Sequence, residues 1–90
     1  MTPPKFDLGR IVATSNAVSQ LSSGEILAAL RRHAVGDWGD LCEEDRLENE
    51  RSLVHGWRLF SVYSSAAGTR FYVITEADRS VTTILLPEEY

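Results

Sequence analysis

Apolar residues recur at helical spacing in the first part of the chain and alternate with polar residues in the last third. The segment SNAVSQLSS predicts a short helix that Thr14 or Ser15 caps. A longer helix is predicted next, because Ser22 and Glu25 have the spacing of a capping box and an apolar run follows them. Basic residues in its last turn suit the helix dipole, and Gly36 is predicted to end it.

A further helix is predicted from about residue 40 to residue 55, with acidic residues in its first turns. At about 100° per residue, its sheet-facing side would carry Trp38, Leu41, Cys42 and Leu53. The same side also holds Asp45, Asn49 and Ser52, whereas Leu47 and Val54 point the opposite way. Two interpretations stay open. Either the helix is sandwiched and Asp45 and Asn49 hydrogen-bond a loop such as TEADRS, through Arg79, or both belong to a binding surface.

Three segments near the end of the chain have the composition of strands, namely WRLFSVY, TRFYVIT and VTTILL. The turns SSAAG and EADRS join them, so they predict an antiparallel meander that needs helices on one face. The earlier segment FDLGRIVAT is either a short first strand or an extended lead-in. The predicted fold class is α+β, with N-terminal helices packed on a C-terminal three-stranded antiparallel β-meander. It forms one domain, residues 1–90, with residues 1–5 as a flexible leader.

The charge of the chain is negative, at −4, and is unevenly distributed. Residues 36–50 hold seven of the 13 carboxylates and a single Arg. Lys and Arg pair with carboxylates as they do with phosphates. A row of carboxylates along the predicted helix could therefore bind a basic protein surface that normally holds nucleic acid. An ordinary solvated helix face, with a frayed LLPEEY tail, is the alternative. The predicted partner-binding residues are Asp37, Asp40, Glu43, Glu44, Glu48, Glu88 and Glu89.

Signals for catalysis and metal binding are missing from the sequence. It contains no GxSxG, P-loop, GxGxxG or HExxH motif, and the acidic segment lacks the glycine and spacing of an EF-hand. Cys42 is predicted to be a small core residue, and His33 and His55 are predicted to be capping or surface residues. We therefore expect a protein that is not an enzyme and that uses no cofactor or metal.

Cysteine usage and hydropathy bear on where the protein acts. A single cysteine excludes an intramolecular disulfide and is typical of a reducing cytoplasm. No apolar run approaches the length of a signal peptide core or a membrane span. A basic face for direct nucleic-acid binding is also absent from this acidic chain. We expect a cytoplasmic protein, monomeric or homodimeric, that binds another protein and neither nucleic acid nor membrane.

Four blocks of the sequence resemble one family, and they are HAVGDWGDLCEEDRLENE, GWRLFSVY, GTRFYVITEADRS and TTILLPEEY. The family comprises short bacterial "plasmid-related proteins" carried on plasmids, integrated elements and phage-like islands. The resemblance covers about residues 6–90, and GDWGDL and TEADRSVTTILLPEEY are its most specific motifs. It implies an accessory gene of mobile DNA, and the family offers no established catalytic residues to carry over to this chain.

The resemblance also implies, by analogy, an inhibitor of bacterial host defence of the anti-CRISPR or antirestriction type. Such a protein would dock its acidic surface on the nucleic-acid-binding site of a CRISPR surveillance complex or a restriction enzyme. Two alternatives remain: a regulatory protein-binding partner of the antitoxin or replication-accessory kind, and a small hydrolase.

Overall fold

The structure, a computed structural model, describes residues 2–90. Met1, part of the predicted flexible leader, lies outside the described residues; at the other end of that leader, the Lys5 amide donates to Ala34 O at 2.7 Å. A single 3₁₀ turn, Pro87–Glu89, follows the last strand. The elements are β1 (Arg10–Ala13), α1 (Ser15–Gln20), α2 (Ser23–Ala34), α3 (Glu43–His55), β2 (Leu59–Ser64), β3 (Arg70–Thr75) and β4 (Val81–Leu85).

The sheet has four strands in the order β1-β4-β3-β2. Strands β2, β3 and β4 are antiparallel neighbours, but β1 lies parallel to β4, with Arg10 opposite Val81 and Ala13 opposite Ile84. The predicted three-stranded antiparallel meander is therefore wrong. The chain is α+β with a four-stranded mixed sheet. Along the sequence, the helices come after the first strand and before the other three strands. The strand β1 is only four residues long, and its partner lies far along the chain, so no local turn signal reveals the pairing.

The first two helices begin where the capping signals predict. Thr14 accepts a hydrogen bond from the Ala17 amide, and Ser22 and Glu25 form the reciprocal capping box. Both helices pack their apolar residues on one face of the sheet and close the main core, whose burial is the chief stabilising contribution. The buried residues of this core are Ala17, Leu21, Ala29, Leu30, Tyr63, Phe71, Val73, Ile84 and Leu86.

The third helix begins at Glu43, later than predicted, because residues 36–42 form an extended connector. Gly39 has a φ of +75° and bridges Val62 of β2; a Cβ there would lie 1.9 Å from Val62 O. Trp38 is buried in this connector, and Cys42 is the exposed N-cap residue of α3. The prediction that both lie on a buried helix side is wrong, because α3 begins only at Glu43: Cys42 is already extended, and the left-handed Gly39 separates Trp38 further from the helix.

Buried His33 connects α2 to the sheet, so its prediction as a capping or surface residue is wrong. Its Nδ1 lies 2.5 Å from Ser61 Oγ and its Nε2 lies 2.9 Å from Thr75 Oγ1. Thr75 and Thr82 hydroxyls are 2.7 Å apart, and Thr82 donates to Leu8 O at 2.6 Å.

The hydroxyl chain orders the protons on His33. Because each hydroxyl has one proton and Thr82 donates to Leu8, Thr75 must donate to Thr82. Thr75 then accepts from Nε2–H of His33, which leaves Nδ1 facing Ser61. Burial followed by the charge of Arg79 lowers the pKa of His33 to about 4, so the imidazole is neutral near pH 7 and Ser61 donates to its unprotonated Nδ1.

Candidate docking surface

The side of α3 that faces the sheet is polar. Asn49, only 4 % exposed, donates to Phe60 O at 2.6 Å, and the Phe60 amide donates back to Asn49 Oδ1 at 3.1 Å. Ser52 is also buried and donates to Glu48 O at 3.0 Å. Leu53 is the half-buried apolar residue of this side, and it packs on a smaller core cluster of Trp38, Leu41, Leu59 and Val62. Directional hydrogen bonds, more than an apolar stripe, therefore fix this helix on the edge of β2.

Both ends of α3 are also held by hydrogen bonds. Arg46 donates to Gly39 O at 2.6 Å and to Leu41 O at 3.1 Å, so its guanidinium is directed to backbone carbonyls of the connector. At the other end, Arg79 donates to Ser52 O at 3.1 Å. Trp38 Nε1 donates to Glu50 at 2.9 Å in the middle of the helix. The one Arg within residues 36–50 therefore forms no ion pair with its acidic neighbours.

The outer side of α3 combines charge with exposed apolar residues. Leu47 is 48 % exposed and Val54 is 80 % exposed, and Glu43 and Glu44 are exposed beside them. A surface helix normally directs such apolar residues inward. In α3 they point to solvent while Asn49 is buried, so the prediction of a helix sandwiched between apolar surfaces is wrong.

The acidic residues predicted to bind a partner do not form one helical row. Asp40 lies in the connector, where its amide donates to Val62 O at 2.8 Å, and only Glu44 and Glu48 keep the i, i+4 relation on α3. Glu48 pairs with Arg51 at 3.3 Å in an exposed contact that contributes little. The structure thus groups Asp40, Glu43, Glu44 and Glu48 along the connector and α3.

Asp37 differs from the other predicted acidic residues because its charge is paired. Arg32 donates to its carboxylate at 2.7 and 3.2 Å, and the Gly39 amide donates to it at 3.3 Å. The Arg32 hydrogen bond lowers the pKa of Asp37, and Asp37 in turn raises the pKa of Arg32. Asp37 therefore holds the turn after α2, and Arg32 offsets its charge although the Asp37 side chain is 48 % exposed.

The end of the chain folds back on the domain. Glu89 accepts hydrogen bonds from Thr14 Oγ1 at 2.7 Å, Asn16 Nδ2 at 3.2 Å and the Leu86 amide at 2.9 Å. The Leu86 bond and then the Thr14 bond lower the pKa of Glu89. A frayed tail is therefore the wrong description, and Glu89 fastens the tail to the start of α1 instead of extending the surface of α3. Glu88 is exposed beside it.

A groove of about 300 Å³ lies between α3, β2 and the end of the chain. The sequence does not predict this groove, because three distant segments form it. Of its lining residues, Asp45 was a candidate for a binding surface. Asp45 is exposed at its rim, so the interpretation in which Asp45 hydrogen-bonds the TEADRS loop is wrong. Asn49 is structural, but it bonds β2 and not that loop. The lining residues are Leu41, Asp45, Glu48, Asn49, Arg58, Phe60 and Tyr90.

Residues 2–90 offer few groups suited to metal binding or catalysis. No three His, Cys, Asp or Glu side chains in this range are placed to hold a metal ion. Ser61 and His33 are close enough for a nucleophile and base, but both are fully buried, so no substrate reaches them. None of the described helices is both long and apolar enough to span a membrane.

Comparisons with family models, curated proteins and solved structures found no match to this chain. The resemblance to plasmid-related proteins therefore stays a prediction.

Proposed function

We propose that this protein is a non-enzymatic inhibitor of a bacterial host defence complex and acts in the cytoplasm. It docks the outer side of α3 on the basic nucleic-acid-binding site of a CRISPR surveillance complex or a restriction enzyme. The observation that carries the proposal is the orientation of α3, whose polar Asn49 is buried while Leu47 and Val54 are exposed among carboxylates.

The two kinds of exposed residue supply different parts of such an interface. Carboxylates such as Glu43 and Glu44 pair with Lys and Arg side chains that otherwise hold phosphates, and they accelerate encounter through long-range attraction. Leu47 and Val54 supply apolar contact, which a solvated acidic face does not need. Because electrostatic attraction is screened by salt, binding should weaken steeply as ionic strength rises.

The test is plasmid transformation of bacteria whose CRISPR or restriction system attacks the plasmid. We expect the wild-type protein to restore transformation and the variant Glu44→Lys/Leu47→Ser to lose this protection, because both changes fall on the outer side of α3. The matched control is Asp7→Lys/Val18→Ser, which reverses one exposed acid and removes one exposed apolar residue elsewhere.

Circular dichroism and thermal melts establish that both variants fold. If folded Glu44→Lys/Leu47→Ser protects the plasmid as well as the wild type does, α3 is not part of the interface. If the wild-type protein protects the plasmid against neither a CRISPR system nor a restriction system, the proposed function is wrong.

A further inference from the structure

The groove beside α3 has an aromatic floor that faces solvent. Phe60 and Tyr72 meet edge to face with ring centroids 4.8 Å apart, and Tyr90 lies 6.0 Å from Phe60 and 5.8 Å from Tyr72. Tyr90 is 64 % exposed, so this cluster is open to a ligand from outside. Aromatic faces of this kind attract cations, most often guanidinium groups.

Two carboxylates stand at the rim of this floor. Asp45 and Glu48 are three residues apart on α3, which places them on neighbouring turns of one side of the helix. Asp45 forms no ion pair within residues 2–90, and the partner of Glu48 is the exposed Arg51. Asn49 at the back of the groove has its amide occupied by Phe60. The carboxylates are therefore the groups left to select a ligand.

We propose that this groove receives an arginine side chain of the partner protein. The guanidinium stacks on Tyr90 and Phe60 while Asp45 and Glu48 accept its hydrogen bonds. This inference rests on the proposed function, since it names the chemistry that the docked partner must present beside α3. It adds a site to that surface, because Phe60 and Tyr90 were not among the predicted binding residues and Asp45 was one only in the second interpretation of the helix.

The groove already shows how a guanidinium fits against its wall. Arg58 places its Cζ 5.6 Å from the Tyr90 ring centroid and donates to Tyr90 Oη. Its positive charge stands against two carboxylates that line the groove, Asp45 and Glu48, of which Glu48 also contacts Arg51 and Asp45 has no ion pair among the residues that the structure describes. A planar guanidinium can stack on the rings and bond the carboxylates at the same time, whereas a lysine ammonium has no planar face.

The test measures binding of Nα-acetyl-arginine amide to the folded protein by amide chemical shifts in NMR. We expect a dissociation constant on the order of millimolar, with shifts centred on Asp45, Phe60 and Tyr90. The double variant Asp45→Asn/Glu48→Gln should weaken binding at least about fivefold, since it removes two exposed charge contacts. Asp7→Asn, which changes an exposed acid outside α3 and outside the groove, is the control and should leave the affinity unchanged.

Two further ligands establish what the groove recognises. Nα-acetyl-citrulline amide has the shape of arginine without its charge and should not bind; binding as strong as that of arginine would overturn the inference. Equal affinity for Nα-acetyl-lysine amide, or an unaltered affinity of the double variant, would also overturn it.

The two proposals fail separately. If Glu44→Lys/Leu47→Ser loses protection but the wild-type protein does not bind the arginine ligand, the groove proposal is wrong and the proposed function stands. Arginine binding in a protein that protects no plasmid would overturn the proposed inhibition instead.

Discussion

Acidification from pH 7 to pH 5 should destabilise this domain through His33. The folded structure holds the imidazole neutral, because burial and then the charge of Arg79 lower its pKa to about 4. In the unfolded chain the pKa of a histidine returns to about 6.5. Since the folded pKa lies below the unfolded one, the unfolded state binds the proton first. Stability is therefore lost as the pH falls through 6.5 toward 4.

The magnitude follows from these two pKa values. At pH 5 an unfolded histidine is almost fully protonated and folded His33 is mostly neutral, which corresponds to a loss of about 2 kcal/mol relative to pH 7. Domains of this size are stable by only about 5–15 kcal/mol, so the loss is measurable. Carboxylates with lowered pKa values, such as Asp37, change the free energy of unfolding mainly below about pH 4.5. The change between pH 7 and pH 5 is therefore due mainly to histidine.

The assay is urea unfolding at pH 7, 6 and 5, followed by tryptophan fluorescence. Exposed Trp57 contributes to the signal beside buried Trp38, whose ring centroid lies 5.7 Å from that of His33. In His33→Gln the amide can accept from Ser61 and donate to Thr75, but it does not titrate. We expect the difference between pH 7 and pH 5 to shrink to below about 0.5 kcal/mol in this variant. His55→Gln changes an exposed histidine and should keep the loss. An undiminished pH dependence in His33→Gln would refute the assignment.

Two further expectations concern α3 and the end of the chain. Asn49→Ala should lower the free energy of unfolding by about 2 kcal/mol, because it strips both hydrogen bonds from the Phe60 backbone, whereas Asp45→Ala should change it by less than about 0.5 kcal/mol. Equal losses in urea titrations of the two variants would contradict this. Deleting residues 87–90 should lower the melting temperature, because the bonds of Glu89 to α1 are lost; an unchanged melting curve would show that they contribute nothing.

The parts of the fold that follow from local signals could be predicted. The capping box of Ser22 and Glu25 and the cap at Thr14 act within one helical turn, and both are present in the structure. Gly56 ends α3 in the left-handed conformation, as its position after His55 predicts. The alternating runs after Gly56 form β2, β3 and β4, and they too could be predicted because the alternation is a local signal.

The parts that failed depend on contacts between distant segments. Nothing near Arg10 indicates that its strand pairs in parallel with Val81. The helical count through residues 38–42 failed because Gly39 bridges β2, and only the position of Val62 makes that glycine necessary. His33 looked like a surface residue because its partners, Ser61 and Thr75, come from two strands far along the chain.

The edge of β2 explains how α3 can carry apolar residues outward. An unpaired strand edge invites association with other strands, and folded proteins cover it. Here the side-chain amide of Asn49 pairs with both backbone groups of Phe60, and the Gly39 bridge does the same for Val62. These directional bonds position the helix, so Leu47 is not required for packing and can face a partner. Changes on the outer side of α3 should therefore alter binding with little effect on folding, while changes at Asn49 should do the reverse.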